Sequence, residues 1–130
     1  MLPLQHGRVW ALLGWALVIA VVVGSLVPAG VLRPLTAALG DKALHAGSYC
    51  LLMIWFGGLY ERAKHPWIAL GLLLLGIGLD LLQLDTATRS FELADIAADA
   101  IGILVGLALS MLVLEGWCQR LERRLRALAG

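Results

Sequence analysis

Four long apolar segments alternate with short polar links along the chain, at about residues 9–27, 43–60, 67–84 and 95–114. A helix needs about 20 mostly apolar residues to cross the hydrocarbon core of a bilayer. Each segment is long enough to cross, and the links are too short to form domains. The pattern predicts an all-α, polytopic membrane protein whose single domain, residues 1–130, is a bundle of four transmembrane helices.

The first segment has one alternative interpretation, a secretory signal peptide with Arg8 as its charged start. Its apolar run is longer than the 7–15 residues that are usual in such peptides. Pro28 also lies where cleavage would fall. We therefore expect a helix that is retained.

The last fifteen residues, 116–130, are too polar to span a membrane. Trp117, Leu121, Leu125 and Leu128 recur near the helical period, with arginines between them. This pattern is typical of a helix on a membrane surface, held by anionic lipids. The simpler alternative is that the arginines of this segment only fix the orientation of the protein in the membrane. Either way, a short amphipathic C-terminal helix in the cytoplasm is predicted.

Lysine and arginine are distributed unevenly between the two sides of this bundle. The two terminal tails and the second link hold seven of them, whereas the first link, the start of the second helix and the third link hold three. Short cytoplasmic loops are enriched in these residues. We expect both termini in the cytoplasm of a bacterial inner membrane, with the first and third links outside.

Composition agrees with a membrane protein. Hydrophobic residues make up 61% of the chain and charged residues 15%, with a mean hydropathy of +0.89. An average soluble domain is about half apolar and about a quarter charged. The net charge of +1 excludes a polybasic nucleic-acid binder. Cys50 and Cys118 fit neither a disulfide framework nor a zinc site. The expected partner is the lipid bilayer, without nucleic acid, cofactor or structural metal.

Polar residues within the predicted spans lie at matching shallow depth, about one helical turn below the outer surface. Ionisable groups in a membrane are costly and invite a functional interpretation. The pattern predicts an outward-facing polar pocket whose candidate headgroup-binding residues are Asp41, Lys42, His45, Tyr49, Asp80, Gln83, Arg89, Asp95 and Asp99. Mutual hydrogen bonding that only fixes helix register is the plainer alternative.

Two glycines continue the polar stripe of the fourth segment. Gly102 and Gly106 follow Asp99 at helical spacing and form a small-xxx-small pair. Such a pair lets a neighbouring backbone approach closely. We expect them to pack against another helix.

Three motifs resemble those of the VanZ-like membrane proteins, a family named for teicoplanin resistance. One helix of that family starts with D-K-x-x-H-x-x-x-Y, and this start resembles Asp41-Lys42-Ala43-Leu44-His45 with Tyr49. Another helix of the family ends with an acidic residue followed by x-x-Gln, and this ending resembles Asp80-Leu81-Leu82-Gln83. Arg89, Asp95, Asp99, Gly102 and Gly106 resemble its R-…-D-x-x-x-N-x-x-G-x-x-x-G block. The resemblance covers residues 41–106 and implies an envelope-facing membrane protein, with a role in envelope homeostasis or antibiotic resistance. Here Asp80 stands where the family often has Glu, and Asp99 where it usually has Asn.

Three functions are compatible with this pattern. The first is binding of a polar headgroup from an envelope lipid or a glycopeptide-related ligand. The second is a membrane-embedded hydrolase or transferase on a lipid-linked substrate, with catalytic candidates His45, Asp80, Asp95 and Asp99. A divalent cation bridged by the three aspartates would favour the enzyme. The third is a small proton-coupled transporter, although the inner halves of the spans offer no ionisable path.

Overall fold

The computed structural model describes residues 1–27, 29–83 and 93–130, with the side chains of Ala29 and Gln83 left out. This part of the chain contains helices and turns without any strand. The α-helices are α1 (Gly7–Leu26), α2 (Arg33–Leu39), α3 (Asp41–Leu59), α4 (His65–Gln83), α5 (Leu93–Leu112) and α6 (Trp117–Ala129). Short 3-10 turns at Ala29–Leu32 and Arg62–Lys64 precede α2 and α4. The predicted all-α class is confirmed, and each long helix begins within about two residues of its predicted start.

Three of these helices are long and apolar enough to cross a membrane, namely Gly7–Leu26, Arg62–Leu82 and Leu93–Leu112. The second predicted segment folds as α3, but α3 does not meet the same criterion in the described residues. Its first two turns carry Asp41, Lys42 and His45, which lower its average hydropathy. The chain is therefore compatible with a membrane protein, and a fourth span remains a prediction.

The least apolar of the long helices lies at the centre of the fold. Helix α3 packs along α5 over most of its length, and α1 and α4 also pack against it. Leu52, Met53 and Leu59 of α3 are fully buried, and Leu72 and Ile103 belong to the same core. The buried residues of α3 lie in its second half, from Tyr49 onward, whereas its first two turns, which carry Asp41, Lys42 and His45, are exposed or half-buried.

Helices α3 and α5 run in the same direction and touch through small residues. A Cβ atom on Gly102 would collide with the backbone carbonyl of Ala46, and one on Gly106 would lie 2.8 Å from the carbonyl oxygen of Cys50. No side chain fits in either space. The two glycines therefore set how closely α5 approaches α3, as the small-xxx-small pattern indicates.

One helix was not foreseen in the sequence. Helix α2 is seven residues long and lies in the first link, with Pro34 in its first turn. Proline is favoured there because the first turn of a helix needs no N–H donor. The hydroxyl of Thr36 donates to the carbonyl oxygens of Leu32 and Arg33, at 3.2 and 3.0 Å. This short helix packs against α3 and borders the groove described below.

Candidate functional site

Polar side chains from three helices meet at one end of the bundle. The N-terminal turns of α3 and α5 lie side by side because these helices are parallel, and α4 runs the opposite way so that its last turns reach the same end. We call the described residues at this end the polar cluster: Asp41, Lys42, His45, Tyr49, Asp80, Asp95 and Asp99.

His45 and Asp99 form the innermost pair of the polar cluster. The Nδ1 atom of His45 lies 2.8 Å from Oδ1 of Asp99, whose side chain is only 2% exposed. The other ring nitrogen, Nε2, lies 3.9 Å from Oδ1 of Asp41, which is half exposed. Asp99 therefore fixes the orientation of the imidazole, and Nε2 faces the accessible side.

Lys42 binds two carboxylates at the mouth of the polar cluster. Its ammonium group pairs with Asp95 and lies 3.5 Å from Oδ2 of Asp41. Asp95 is largely buried, whereas Lys42 and Asp41 remain about half exposed. Lys42, a candidate headgroup-binding residue, is therefore engaged by acidic side chains of its own chain.

A metal ion could in principle occupy the same place, because donor atoms of Asp41, His45 and Asp95 all lie within 4.8 Å of one another. This is not the trio of Asp80, Asp95 and Asp99 considered from the sequence. The ammonium of Lys42 already pairs with Asp41 and Asp95. The described geometry therefore favours the ammonium group of Lys42, rather than a divalent metal ion, as the cation between Asp41 and Asp95.

Asp80 and Tyr49 complete the buried side of the polar cluster. Asp80 is 4% exposed, and its Oδ2 atom has no hydrogen-bond partner among the described residues. It lies close enough to Asp95 and Asp99 for electrostatic interaction. Tyr49 is also buried and interacts with the charges of Asp80 and Asp99. A carboxyl oxygen without a partner is costly to bury, so this part of the cluster is incompletely satisfied.

Gly76 of α4 makes room for these groups and was not identified from the sequence. A Cβ atom at Gly76 would lie 2.7 Å from Oδ2 of Asp99 and 3.3 Å from the hydroxyl oxygen of Tyr49. The close approach of α4 to the polar cluster therefore requires glycine here. Nothing in the sequence distinguishes Gly76 from the other glycines of α4, so its contact with the polar cluster could not be predicted.

A groove of about 510 Å³ opens beside the polar cluster, between α1, α2 and α3. Most of its wall is apolar, with Leu17, Val21 and Leu35 among the lining residues. Its polar side is formed by Asp41, His45, Ser48 and Tyr49. The groove thus joins an apolar channel to the exposed face of the His45–Asp99 pair. Its apolar walls were not foreseen, since leucine and valine are common throughout the sequence.

Two predicted site residues cannot be placed. Arg89 lies outside the described residues, as does the side chain of Gln83. The other predicted headgroup-binding residues are brought together, with Gly102 one turn beyond Asp99 in α5. The described part of the cluster holds four carboxylates against Lys42 and His45, so it carries an excess of acidic groups.

A different carboxylate is buried at the opposite end of the bundle. Glu122 of α6 accepts hydrogen bonds from the backbone N–H groups of Gln5 and His6, at 2.8 and 2.9 Å, and from the indole of Trp10 at 2.8 Å. Burial alone would raise the pKa of Glu122, but these hydrogen bonds hold it below its ordinary value. Sequence analysis missed this residue because it stands among arginines on a helix that looked exposed.

Three indole rings pack against one another at this end, and one of them, Trp10, binds Glu122. Trp10, Trp55 and Trp117 lie with centroids 5.4–5.6 Å apart, in tilted and edge-to-face arrangements. The indole N–H groups of Trp55 and Trp117 donate to the carbonyl oxygens of Trp10 and Ile54. We call these three rings, together with Glu122, the tryptophan cluster. Every donor and acceptor named in it is paired.

No family model matches the chain, nor does any curated protein or solved structure.

Proposed function

We propose that this chain is a VanZ-like integral membrane protein that binds an amphiphilic envelope molecule. The polar cluster holds the headgroup, and the neighbouring groove holds an apolar chain. The observation that carries this proposal is the groove itself, whose apolar walls end at Asp41 and His45. Sites of this kind, mostly apolar with a few convergent polar groups, are typical for small ligands.

The charge of the polar cluster selects the headgroup. Its carboxylates outnumber its described cationic groups, and Lys42 is already bound by Asp95 and Asp41. A cationic amine on the ligand would complement the exposed carboxylate of Asp41, which lines the groove, better than a bare phosphate would. Envelope lipids and glycopeptide-related molecules that carry an amine are the ligand class that fits.

Short-chain lipids in detergent test this binding. The full-length protein should bind dihexanoyl phosphatidylethanolamine, which carries an amine, more tightly than dihexanoyl phosphatidylglycerol, which does not. Asp41→Asn should weaken the former by about tenfold or more, because a hydrogen bond to a charged group contributes about 1.5–3 kcal/mol. Asp41 is exposed at the mouth, so the variant retains the buried pairs.

A second variant tests the apolar half of the site. Gly24 lines the groove, and a Cβ atom there would meet only Leu32, at 3.8 Å. Gly24→Leu should therefore fold, fill the groove and abolish the preference for the lipid that carries an amine. Gly78→Leu is the matched control, because Gly78 has open space around it and does not line the groove. Equal binding of both lipids, unchanged in Asp41→Asn and Gly24→Leu, would refute the proposal.

The His45–Asp99 pair favours a second candidate, a hydrolase or transferase acting on a lipid-linked substrate. A buried carboxylate 2.8 Å from Nδ1 leaves Nε2 of His45 available as a general base beside the groove, where Ser48 also lies. Asp99→Asn should then slow release of products from a lipid ester while the lipid still binds. If the bound lipid is recovered intact from the wild-type protein after prolonged incubation, binding alone is the function.

The proposed location is the bacterial inner membrane, with both termini in the cytoplasm. The uneven distribution of lysine and arginine supports this orientation. In intact cells, Thr88→Cys should react with an impermeant thiol reagent and Ala63→Cys should not. The opposite labelling pattern would place the polar cluster on the cytoplasmic side.

A further inference from the structure

A second cavity, of about 370 Å³, lies at the end of the molecule that holds the tryptophan cluster. The N-terminal residues 3–5 form one of its walls. The other wall is the face of α6 that carries Gln119, Glu122, Arg123 and Arg126. The amide of Gln119 donates to the carbonyl oxygen of Pro3 at 3.2 Å, which joins the two walls.

The cavity has an excess of positive charge. Arg123 and Arg126 are three residues apart and so share a face of α6. Neither guanidinium has an ion pair within the described ranges 1–27, 29–83 and 93–130. The one carboxylate in the lining, Glu122, is occupied by the N–H groups of Gln5, His6 and Trp10. It is therefore turned toward the N-terminal segment and forms no ion pair with either arginine, so the lining holds two positive charges against one negative charge.

This arrangement suits an oxyanion. Guanidinium groups bind phosphate through paired N–H donors, and two of them on one face can share one phosphate. Gln5, an uncharged polar residue, also lines the cavity. We propose that this cavity binds a phosphate group through Arg123 and Arg126. The site is independent of the polar cluster, which lies at the other end of the bundle.

The surroundings favour a phospholipid headgroup as the source of this phosphate. Leu121, Leu125 and Leu128 form an exposed apolar stripe on α6, with Leu128 86% exposed. The tryptophan cluster lies at the same end, and tryptophan is enriched at the depth of lipid headgroups. A helix with leucines on one side and arginines beside them is typical of binding to an anionic leaflet. Free inorganic phosphate is the other source of the same chemistry.

The matched variants are provided by three arginines of α6. Arg123→Gln and Arg126→Gln each remove one charge from the cavity. Arg124→Gln removes the same charge from an exposed position that does not line it. All three residues are exposed, so the variants should fold like the wild-type chain.

Binding is measured on the full chain in neutral detergent, as the rise in melting temperature on addition of a ligand. The probes are dihexanoyl phosphatidylglycerol, dihexanoyl phosphatidylcholine and inorganic phosphate. We expect the phosphatidylglycerol affinity to fall about tenfold in Arg123→Gln and in Arg126→Gln, and by less than about twofold in Arg124→Gln.

The outcomes separate the source of the phosphate from the existence of the site. Weaker binding in Arg123→Gln and in Arg126→Gln, but not in Arg124→Gln, supports the site. The probe that binds the wild-type protein more tightly, lipid or inorganic phosphate, identifies the source of the phosphate. Equal weakening in all three variants would show only a general attraction to positive charge and would overturn the proposal. Absence of binding by every probe would overturn it as well. When the measurements are made in the Gly24→Leu background, in which the groove is filled, neither result depends on whether the groove at the other end binds an amphiphile.

Discussion

Both ends of the bundle bury carboxylates, but they satisfy them differently. Glu122 accepts three hydrogen bonds, one of them from the indole of Trp10. Asp99 has His45 as its partner, whereas Oδ2 of the equally buried Asp80 has none among the described residues. An unsatisfied buried polar group costs about 1–3 kcal/mol. The tryptophan cluster is thus a completed structural contact, whereas the polar cluster keeps one buried carboxylate oxygen unsatisfied among the described residues and borders an open groove.

The largest expected effect comes from forcing apart the helices that build the polar cluster. In Gly102→Leu the new side chain meets the backbone of Ala46, which cannot move without displacing α3. Overpacking costs about 1–3 kcal/mol, and a backbone collision belongs at or above the upper end of that range. We expect a loss of about 3 kcal/mol or more, measured by thermal unfolding and by the yield of monodisperse protein.

Gly78→Leu is the control for this prediction, since it adds the same side chain where no atom lies within 4 Å. Its melting temperature should stay close to that of the wild type. If Gly102→Leu were equally stable, the close approach of α3 and α5 would not be needed to assemble the polar cluster.

The contrast between the two ends also explains what could be predicted from the sequence. Asp41, His45, Asp95 and Asp99 are rare charges in apolar helices, so their spacing alone indicated a shared face. Their pairing depends on α3 and α5 being parallel, which follows from an up-and-down order of four helices. The partner of Lys42 could not be predicted, because it depends on side-chain geometry across two helices.

The tryptophan cluster could not be predicted for a different reason. Glu122 resembles any solvated acid within a basic helix, and its burial results from docking of α6 against the N-terminal segment. No periodicity within α6 reveals that contact, which joins residues more than 110 positions apart. The buried residues of α6 are Cys118 and Glu122, whereas the predicted apolar stripe of leucines remains exposed.

The second prediction removes the negative charge of Glu122 from the tryptophan cluster. Glu122→Gln keeps the size of the side chain but replaces one acceptor oxygen with an NH₂ group that faces N–H donors. Leaving buried donors without acceptors should destabilise the protein by about 1–3 kcal/mol, measured as a lower melting temperature with altered tryptophan emission. Glu115→Gln is the control, because Glu115 is exposed and its nearest cationic atom, in Arg62, is 4.0 Å away. A similar small effect in both variants would mean that Glu122 is not a structural contact.

The third prediction concerns how the stability that Glu122 contributes depends on pH. Because the pKa of Glu122 is lowered in the folded state, its contribution to stability is complete above its ordinary value of 4.5 and is lost as the pH falls through the lower, folded value. Melting temperatures of the wild type and of Glu122→Gln should therefore converge below about pH 4.5. A difference that stays constant from pH 7 to pH 3.5 would show that the charge of Glu122 is not what stabilises this end.

The smallest effect is a rate of thiol labelling, which reports how tightly the tryptophan end is closed. Cys118 is fully buried next to Glu122 in α6. Burial, assisted by the negative charge of Glu122, raises the pKa of its thiol to about 12. Only about one thiol in ten thousand is then ionised at pH 8, and the thiolate is the reactive form.

In a Cys50→Ser background, Cys118 should resist maleimide until the protein is unfolded, whereas Cys50→Ser/Leu128→Cys should react at once at its exposed new site. Adding Glu122→Gln should speed labelling, because the variant weakens the contact that holds α6 against the N-terminal segment. Rapid labelling of Cys118 in the folded protein would show that α6 detaches readily and that both ends of the bundle are open.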